Sequence, residues 1–199
     1  MKKVEFFFDC SSPWTYLAFH RLQDIIKETR VNVYWRPILV GGVFNEVNQD
    51  VYNNRQNPNP FKFKYSRKDL QDWANFYQIS INWPDIFPLN AVNVMRGVIV
   101  ANSFEKLIPF SSSCFEAYWS KGTDISELGT LSKIAESIGI DKEEFNKKII
   151  HKDTKDLLRS NTDELINRGG FGSPTVFIDN DDMYFGNDRM ELIRNKILE

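Results

Sequence analysis

The sequence predicts an α/β fold whose sheet is interrupted by a long block of helices, and three observations carry that prediction. Strand-like and helix-like patterns alternate at the N-terminus, residues 61–168 read almost wholly as helix, and two short strands with a last helix close the chain. A length of 199 residues is enough for one domain with a full core, or for one carrying a large insertion.

The elements follow in order. Val4–Phe8 is an apolar run of strand character that ends at the polar turn Asp9-Cys10-Ser11. A helix over 13–29 begins at once, with Trp14, Leu17, Ala18, Leu22, Ile25 and Ile26 spaced by threes and fours. Ser12 is a good N-cap, and Pro13 suits the first helical position, where its missing N–H is not needed. Val31–Pro37 alternates apolar and polar residues and reads as a second strand, so the helix between makes a parallel pair with a right-handed crossover. Gly41–Pro60 is dense in Asn, Gln, Gly and Pro and reads as a functional loop.

The helical block starts at Phe61. Leu70, Trp73, Ala74 and Tyr77 mark one helix, and Val94, Val98 and Ala101 another after the break at Phe87-Pro88-Leu89-Asn90. Phe115, Tyr118 and Trp119 mark a third, and Leu128, Leu131, Ile134, Ala135 and Ile138 a fourth that stops at Gly139. Phe145 and Ile149, then Leu157, Leu158 and Leu165, complete the block, which Gly169-Gly170 closes. Thr175–Ile178 and Met183–Phe185 are strands about the turn Asp179–Asp182, and the last helix covers 188–198.

This order, β-α-β, helical block, β-β-α, is a thioredoxin-like fold with a large all-helical insertion. Residues 1–60 and 169–199 form the thioredoxin-like domain and 61–168 the helical insertion domain. In that layout the N-terminus of the first helix and the turn Gly172-Ser173-Pro174 lie side by side. A proline directly before a strand predicts a cis bond, which turns the Ser173 backbone outward as a free edge for a peptide ligand.

Composition narrows the function. Hydrophobic content of 42% suits a soluble globular protein. A net charge of −2 and a pI near 5.8 argue against a nucleic-acid partner. No apolar stretch reaches membrane-spanning length, and the N-terminal run is too short for a secretory signal. Cys10 and Cys114 form neither C-x-x-C nor a disulfide framework, which predicts a reducing, cytoplasmic setting. His20 and His151, the two histidines, read as helix-surface residues and leave little material for a triad or a multi-His metal site. Asp179, Asp181 and Asp182 lack the length and closing Glu of a calcium loop, so no metal site is predicted.

The candidate site is the first helix start. Its free N–H groups and positive dipole end favour an anion at Ser11 and Ser12. Ser12-Pro13-Trp14-Thr15 stands where thioredoxin-type oxidoreductases carry Cys-x-x-Cys, so the chain cannot cycle a disulfide there. A serine hydroxyl can instead hydrogen-bond a thiolate brought by a ligand. Taken alone, Ser12 reads equally as a helix cap. Asn187-Asp188 alone reads as the cap of the last helix, Asn54 as a loop residue, and Lys62, Lys64, Arg67 and Lys68 as a solvated face or a guide for an anion. Ser11, Trp14, Phe44 and Lys64 are candidates for the wall of a substrate pocket.

The run Phe8-Asp9-Cys10-Ser11-Ser12-Pro13-Trp14-Thr15-Tyr16-Leu17-Ala18 resembles the opening of the 2-hydroxychromene-2-carboxylate isomerases and their relatives, the kappa-class glutathione transferases. Asn54-Arg55, Lys68–Ala74, Gly172-Ser173-Pro174-Thr175 and Tyr184–Arg189 resemble the same families in the same order. The resemblance implies a glutathione-dependent enzyme. Ser12 matches the catalytic serine beside the glutathione sulfur, and Asn54 a loop asparagine near substrate or glutathione. Ser173, before Pro174, matches the residue whose backbone pairs with the cysteinyl part, and Asn187 and Asp188 the pair holding the γ-glutamyl end. The implied reaction interconverts 2-hydroxychromene-2-carboxylate and trans-o-hydroxybenzylidenepyruvate by reversible thiolate addition. Conjugation of electrophiles is the alternative, and a non-catalytic thioredoxin-fold binding module the second. The implied partner is a small aromatic carboxylate or electrophile. Relatives of this kind are often dimers, for which the inserted helices would supply a contact surface.

Overall fold

The structure is a computed structural model and describes residues 2–199. Its four-stranded sheet has the order β2-β1-β3-β4, with β1 Val4–Phe8, β2 Val33–Pro37, β3 Thr175–Ile178 and β4 Asp182–Phe185. β1 runs parallel to β2 and antiparallel to β3, with Phe6 opposite Trp35 on one side and Val176 on the other. β3 and β4 form the closing hairpin, Val176 opposite Tyr184. The expected strand–helix–strand and hairpin–helix units are therefore present.

β1 is buried on both faces, which explains its unbroken apolar run. Phe6 and Phe8 stack at 5.4 Å beneath α1 (Pro13–Thr29), and Trp35 meets Phe6 edge-on at 5.5 Å. Phe7 points to the other face, where Phe177, Ile38, Val43 and Leu165 enclose it. Each such phenylalanine contributes about 1.5–3 kcal/mol of burial. The main core continues without a break into the inserted helices, through Met95, Val98, Phe110, Phe115 and Trp119.

Glu5 lies inside this strand, 1% exposed, and Lys3, Arg36 and Arg168 each reach it at 3.1 Å. Burial works against its ionised form. The hydrogen bonds from Lys3, Arg36 and Arg168 outweigh burial and hold its carboxyl below the ordinary value.

Three expectations need correction. Gly41–Pro60 is no open loop but holds α2 (Val40–Val47) and α3 (Asp50–Gln56). The glycines and asparagines there lower helix propensity, yet Val40 and Val43 bury one face of α2, and its first N–H is held by Asp9, far away in sequence. The block after α4 (Pro60–Phe76) is not continuously helical: residues 78–91 form an irregular strap. Pro84 and Pro88 disfavour helix at Trp83 and Phe87. Ser120 Oγ and Tyr118 Oη anchor the strap by donating to the Ser80 and Ile86 carbonyls. His151, exposed, stands at the N-cap of its helix rather than on a helical surface.

The remaining helices are α5 Val92–Asn102, α6 Leu107–Phe115, α7 Leu128–Ser137, α8 Lys142–Ile149, α9 Lys152–Asn167 and α10 Met190–Leu198. A π-helical turn, Glu116–Ser120, follows α6, and a 3₁₀ turn, Asn187–Arg189, precedes α10. The π turn sets Trp119 so that its indole N–H donates to the Cys10 carbonyl at 3.0 Å, tying the insertion to the end of β1. Among the described residues, no helix is long and apolar enough to cross a membrane.

Candidate functional site

The turn between β1 and α1 is built around Asp9, a fully buried carboxyl. It accepts from the Val40 N–H, the Ser11 N–H and the Ser11 hydroxyl, all at 2.8 Å. Burial pushes its pKa up, and these hydrogen bonds pull against that shift. One carboxyl thus fixes both the start of α2 and the residue before Ser12.

Ser12 caps α1 from an extended backbone conformation, accepting from the Thr15 N–H at 3.2 Å. Its hydroxyl lies 3.3 Å from the Ser173 carbonyl oxygen, a long contact that leaves it able to turn toward a ligand. The Ser173 hydroxyl accepts from the Asp9 N–H at 3.0 Å and lies 2.8 Å from the Thr15 hydroxyl. The expected cis bond joins Ser173 to Pro174. A second cis bond, Phe87–Pro88, was not foreshadowed by the sequence pattern. The N-terminus of α1, the Ser12 hydroxyl and the Ser173 backbone therefore meet at one point.

Cys10 is buried beside this point. Burial, followed by the neighbouring Cys114 and Asp9, pushes its thiol well above the ordinary range, so it supplies no thiolate.

Two cavities flank the helix start. The first, about 620 Å³, is a groove bounded by Trp14, Ser173, Pro174, Asn187, Asp188 and Tyr65. Gly186 stands on its rim, and Gly172 lets the lining residue Phe185 approach the chain closely. A Cβ at Gly172 would lie 2.8 Å from the Phe185 ring, and Gly186 combines φ 105° with the close approach of Asp188 Oδ1, 2.6 Å from where its Cβ would be. Asn187 is 3% exposed, and its Nδ2 finds no acceptor. A buried amide without a partner costs about 1–3 kcal/mol, so a ligand oxygen in the groove would be favoured there. Asp188 is half-exposed beside it, 3.6 Å from Arg189. This donor set fits a zwitterionic amino-acid end: the Asn187 amide for a carboxylate, the Asp188 carboxylate for an ammonium.

The second cavity, about 310 Å³, opens beyond Ser11 between α2, α3 and the strap. Phe44, Tyr52, Arg55 and Phe87 line it.

The sequence-derived candidates divide accordingly. Ser11 and Phe44 line the second cavity, whereas Trp14 lines the groove with Ser173, Pro174, Asn187 and Asp188. Asn54 and Lys64 are exposed on α3 and α4 and line neither. Tyr65 borders the groove without a sequence signal; Asp69 and Arg189 border it too, and they lie in the motif segments Lys68–Ala74 and Tyr184–Arg189, which gave them no individual role. Among the described residues, no group of three or more His, Cys, Asp or Glu side chains could hold a metal ion.

The sequence model of the DSBA-like thioredoxin domain matches residues 3–198. The chain is 26% identical to a 2-hydroxychromene-2-carboxylate isomerase from Sphingobium xenophagum, over all of this chain and 99% of that protein. It is 28% identical to glutathione S-transferase kappa 1 from Homo sapiens, over all of this chain and 92% of that protein. A solved 2-hydroxychromene-2-carboxylate isomerase superposes with a TM-score of 0.83 at 24% identity, covering 98% of this chain and 93% of its own. These similarities agree with the resemblance carried by the sequence motifs.

Proposed function

We infer the function from one premise: the chain belongs to the DSBA-like thioredoxin domain family. Membership settles the fold and leaves the chemistry to the site. The site lacks the cysteine pair of a disulfide oxidoreductase, and its one nearby thiol is buried and protonated. Full-length relatives named as isomerases and glutathione transferases support an enzyme.

The reading we propose is a glutathione-dependent isomerase of the 2-hydroxychromene-2-carboxylate type. The observation that carries it is the unpaired, buried Asn187 amide in a groove that reaches Ser173, whose carbonyl oxygen lies 3.3 Å from the Ser12 hydroxyl. Glutathione, when bound, supplies a thiol whose sulfur adds reversibly to a conjugated double bond and so frees that bond to rotate. In this reading Asn187 and Asp188 hold the γ-glutamyl end and the Ser173 backbone the cysteinyl unit. The Ser12 hydroxyl donates to the sulfur, and the α1 N-terminus favours its negative charge. The second substrate enters from the cavity beyond Ser11. The similarity to a kappa-class transferase, equal in extent, favours conjugation of an electrophile as the second reading.

Calorimetry and product analysis test this. Wild type binds glutathione in the micromolar-to-millimolar range, and Asp188→Ala weakens it. Ser12→Ala keeps glutathione affinity within a few-fold and loses about 10²-fold or more in kcat/KM. An isomerase returns glutathione in full, whereas a transferase consumes it. Wild type that binds no glutathione would end the reading.

A further inference from the structure

The cavity beyond Ser11 has a chemistry of its own. Its volume, about 310 Å³, sits at the lower end of small-molecule pockets, roughly 300–1,000 Å³. Three aromatic side chains, Phe44, Tyr52 and Phe87, and one cation, Arg55, stand in its walls. The Arg55 guanidinium carbon lies 5.7 Å from the Phe44 ring centroid and 5.3 Å from that of Phe87. Arg21, Arg36 and Arg168 are each spent on carboxylates. Arg55 has no such partner among the described residues; it is exposed, and its guanidinium lies over the Phe44 and Phe87 rings.

Several of the other polar groups of the cavity are committed. Asp9 accepts three hydrogen bonds and is fully buried. The Tyr52 hydroxyl donates to Asn45 Oδ1 at 2.8 Å. At the first turn of α2, the Val40 N–H goes to Asp9 and the Gly42 N–H to the Leu39 carbonyl. The Gly41 N–H belongs to the same turn, where helix N–H groups lack partners within the helix, and nothing lies within 4 Å of where a Cβ on Gly41 would be. The backbone there is open to a ligand. The free chemistry is a guanidinium, a helix start, the side-chain amide N–H groups of Asn45 and Asn90 and two ring faces, which together suit a flat anion.

We propose that this cavity seats an aromatic carboxylate, with its ring against Phe44 and Phe87 and its carboxylate on Arg55 facing the first turn of α2. The inference deepens the isomerase reading, on which it rests for the role of the cavity, by assigning the specificity for an anionic substrate to Arg55. It disfavours neutral electrophiles as the preferred second substrate.

The test uses 1-naphthoate and its methyl ester as probes, titrated by calorimetry into wild type, Arg55→Met and Arg55→Lys, with and without saturating glutathione. Wild type binds the carboxylate at least about tenfold tighter than the ester, and Arg55→Met removes that preference while binding the ester as before. Arg55→Lys keeps part of it, because the charge remains and the planar fork is lost. Equal melting temperatures confirm that each variant is folded. Unchanged carboxylate binding in Arg55→Met overturns the proposal, and so does wild type that binds neither probe or binds both alike. Glutathione binding is read from the same samples, so loss of the glutathione reading shows separately from loss of the carboxylate preference.

Discussion

The segments Val4–Leu22 and Asp50–Phe76 both contribute walls to the two cavities, and they are held by different means. In the first, all five residues of β1 are buried, and Asp9, Ser12, Thr15 and Ser173 are joined by hydrogen bonds between residues far apart in sequence. In the second, α3 buries no residue and α4 buries only Leu70 and Ala74. Phe61 is 83% exposed and Phe76 73%. Apart from Leu70, Ala74 and the half-buried Trp73, which pack on the core, what holds α4 is mostly local: the Asn59 cap, and the surface pair Lys68–Asp72. The groups that would meet the reacting sulfur thus stand on the over-determined wall, while Arg55 and Tyr65 stand on the wall with few anchors. A scaffold of this kind keeps the chemistry fixed and leaves substrate choice to the segment that changes at least cost.

The contrast breaks most directly at Asp9. Asp9→Ala leaves the Val40 and Ser11 N–H groups without an acceptor in a buried turn. The expected loss is about 3 kcal/mol of unfolding free energy. Urea denaturation measures it, and a loss under about 1 kcal/mol would show that the turn is not held by this carboxyl.

Glu5 gives the next largest effect, and its sign is set by its cations. Its folded pKa lies below its unfolded one, so its contribution is present above the unfolded value, about 4.3, and is lost as pH falls through the folded value. Asp9, with its pKa raised by burial, titrates in the opposite sense and offsets part of that loss. Glu5→Gln should therefore cost about 1–2 kcal/mol at pH 7 and flatten the fall in stability below pH 4.3. Melting curves from pH 7 to 3 on both proteins check this. Parallel acid limbs would mean that Glu5 is not the group that titrates.

The same division decides what the sequence could tell. Ser12-Pro13 and the spacing of Leu17, Leu22 and Ile25 placed α1, because cap, proline and apolar stripe are all local signals. Ser173-Pro174 and Asn187 could be placed for the same reason, since a turn residue and a helix start mark themselves. The start of α2 could not, since its first N–H is satisfied by Asp9 across the fold and its glycines argue for a loop. Glu5 reads as a polar interruption of a strand until Lys3, Arg36 and Arg168 converge on it. Arg55 had no signal separating it from Asn54, its neighbour in the same motif. Only the folded positions of Phe44 and Phe87 distinguish the side chain that faces a cavity from the one that does not.

The smallest expected effects lie on α4 and sharpen the comparison from the other side. Asn59 accepts from the Phe61 and Lys62 N–H groups at 3.1 and 3.2 Å, and Asn59→Ala should cost about 1 kcal/mol. Phe61 is so exposed that Phe61→Ser should change stability by less than about 0.5 kcal/mol. If α4 is held locally, the Asn59→Ala cost should fall on α4 itself. Amide exchange would then quicken across 61–69 while Phe6, Phe7 and Phe8 keep their protection. A loss spread evenly over β1 and α4 would mean that the two walls unfold as one unit. A Phe61→Ser cost near that of a core phenylalanine would mean that this ring is covered in solution by a surface outside the single chain.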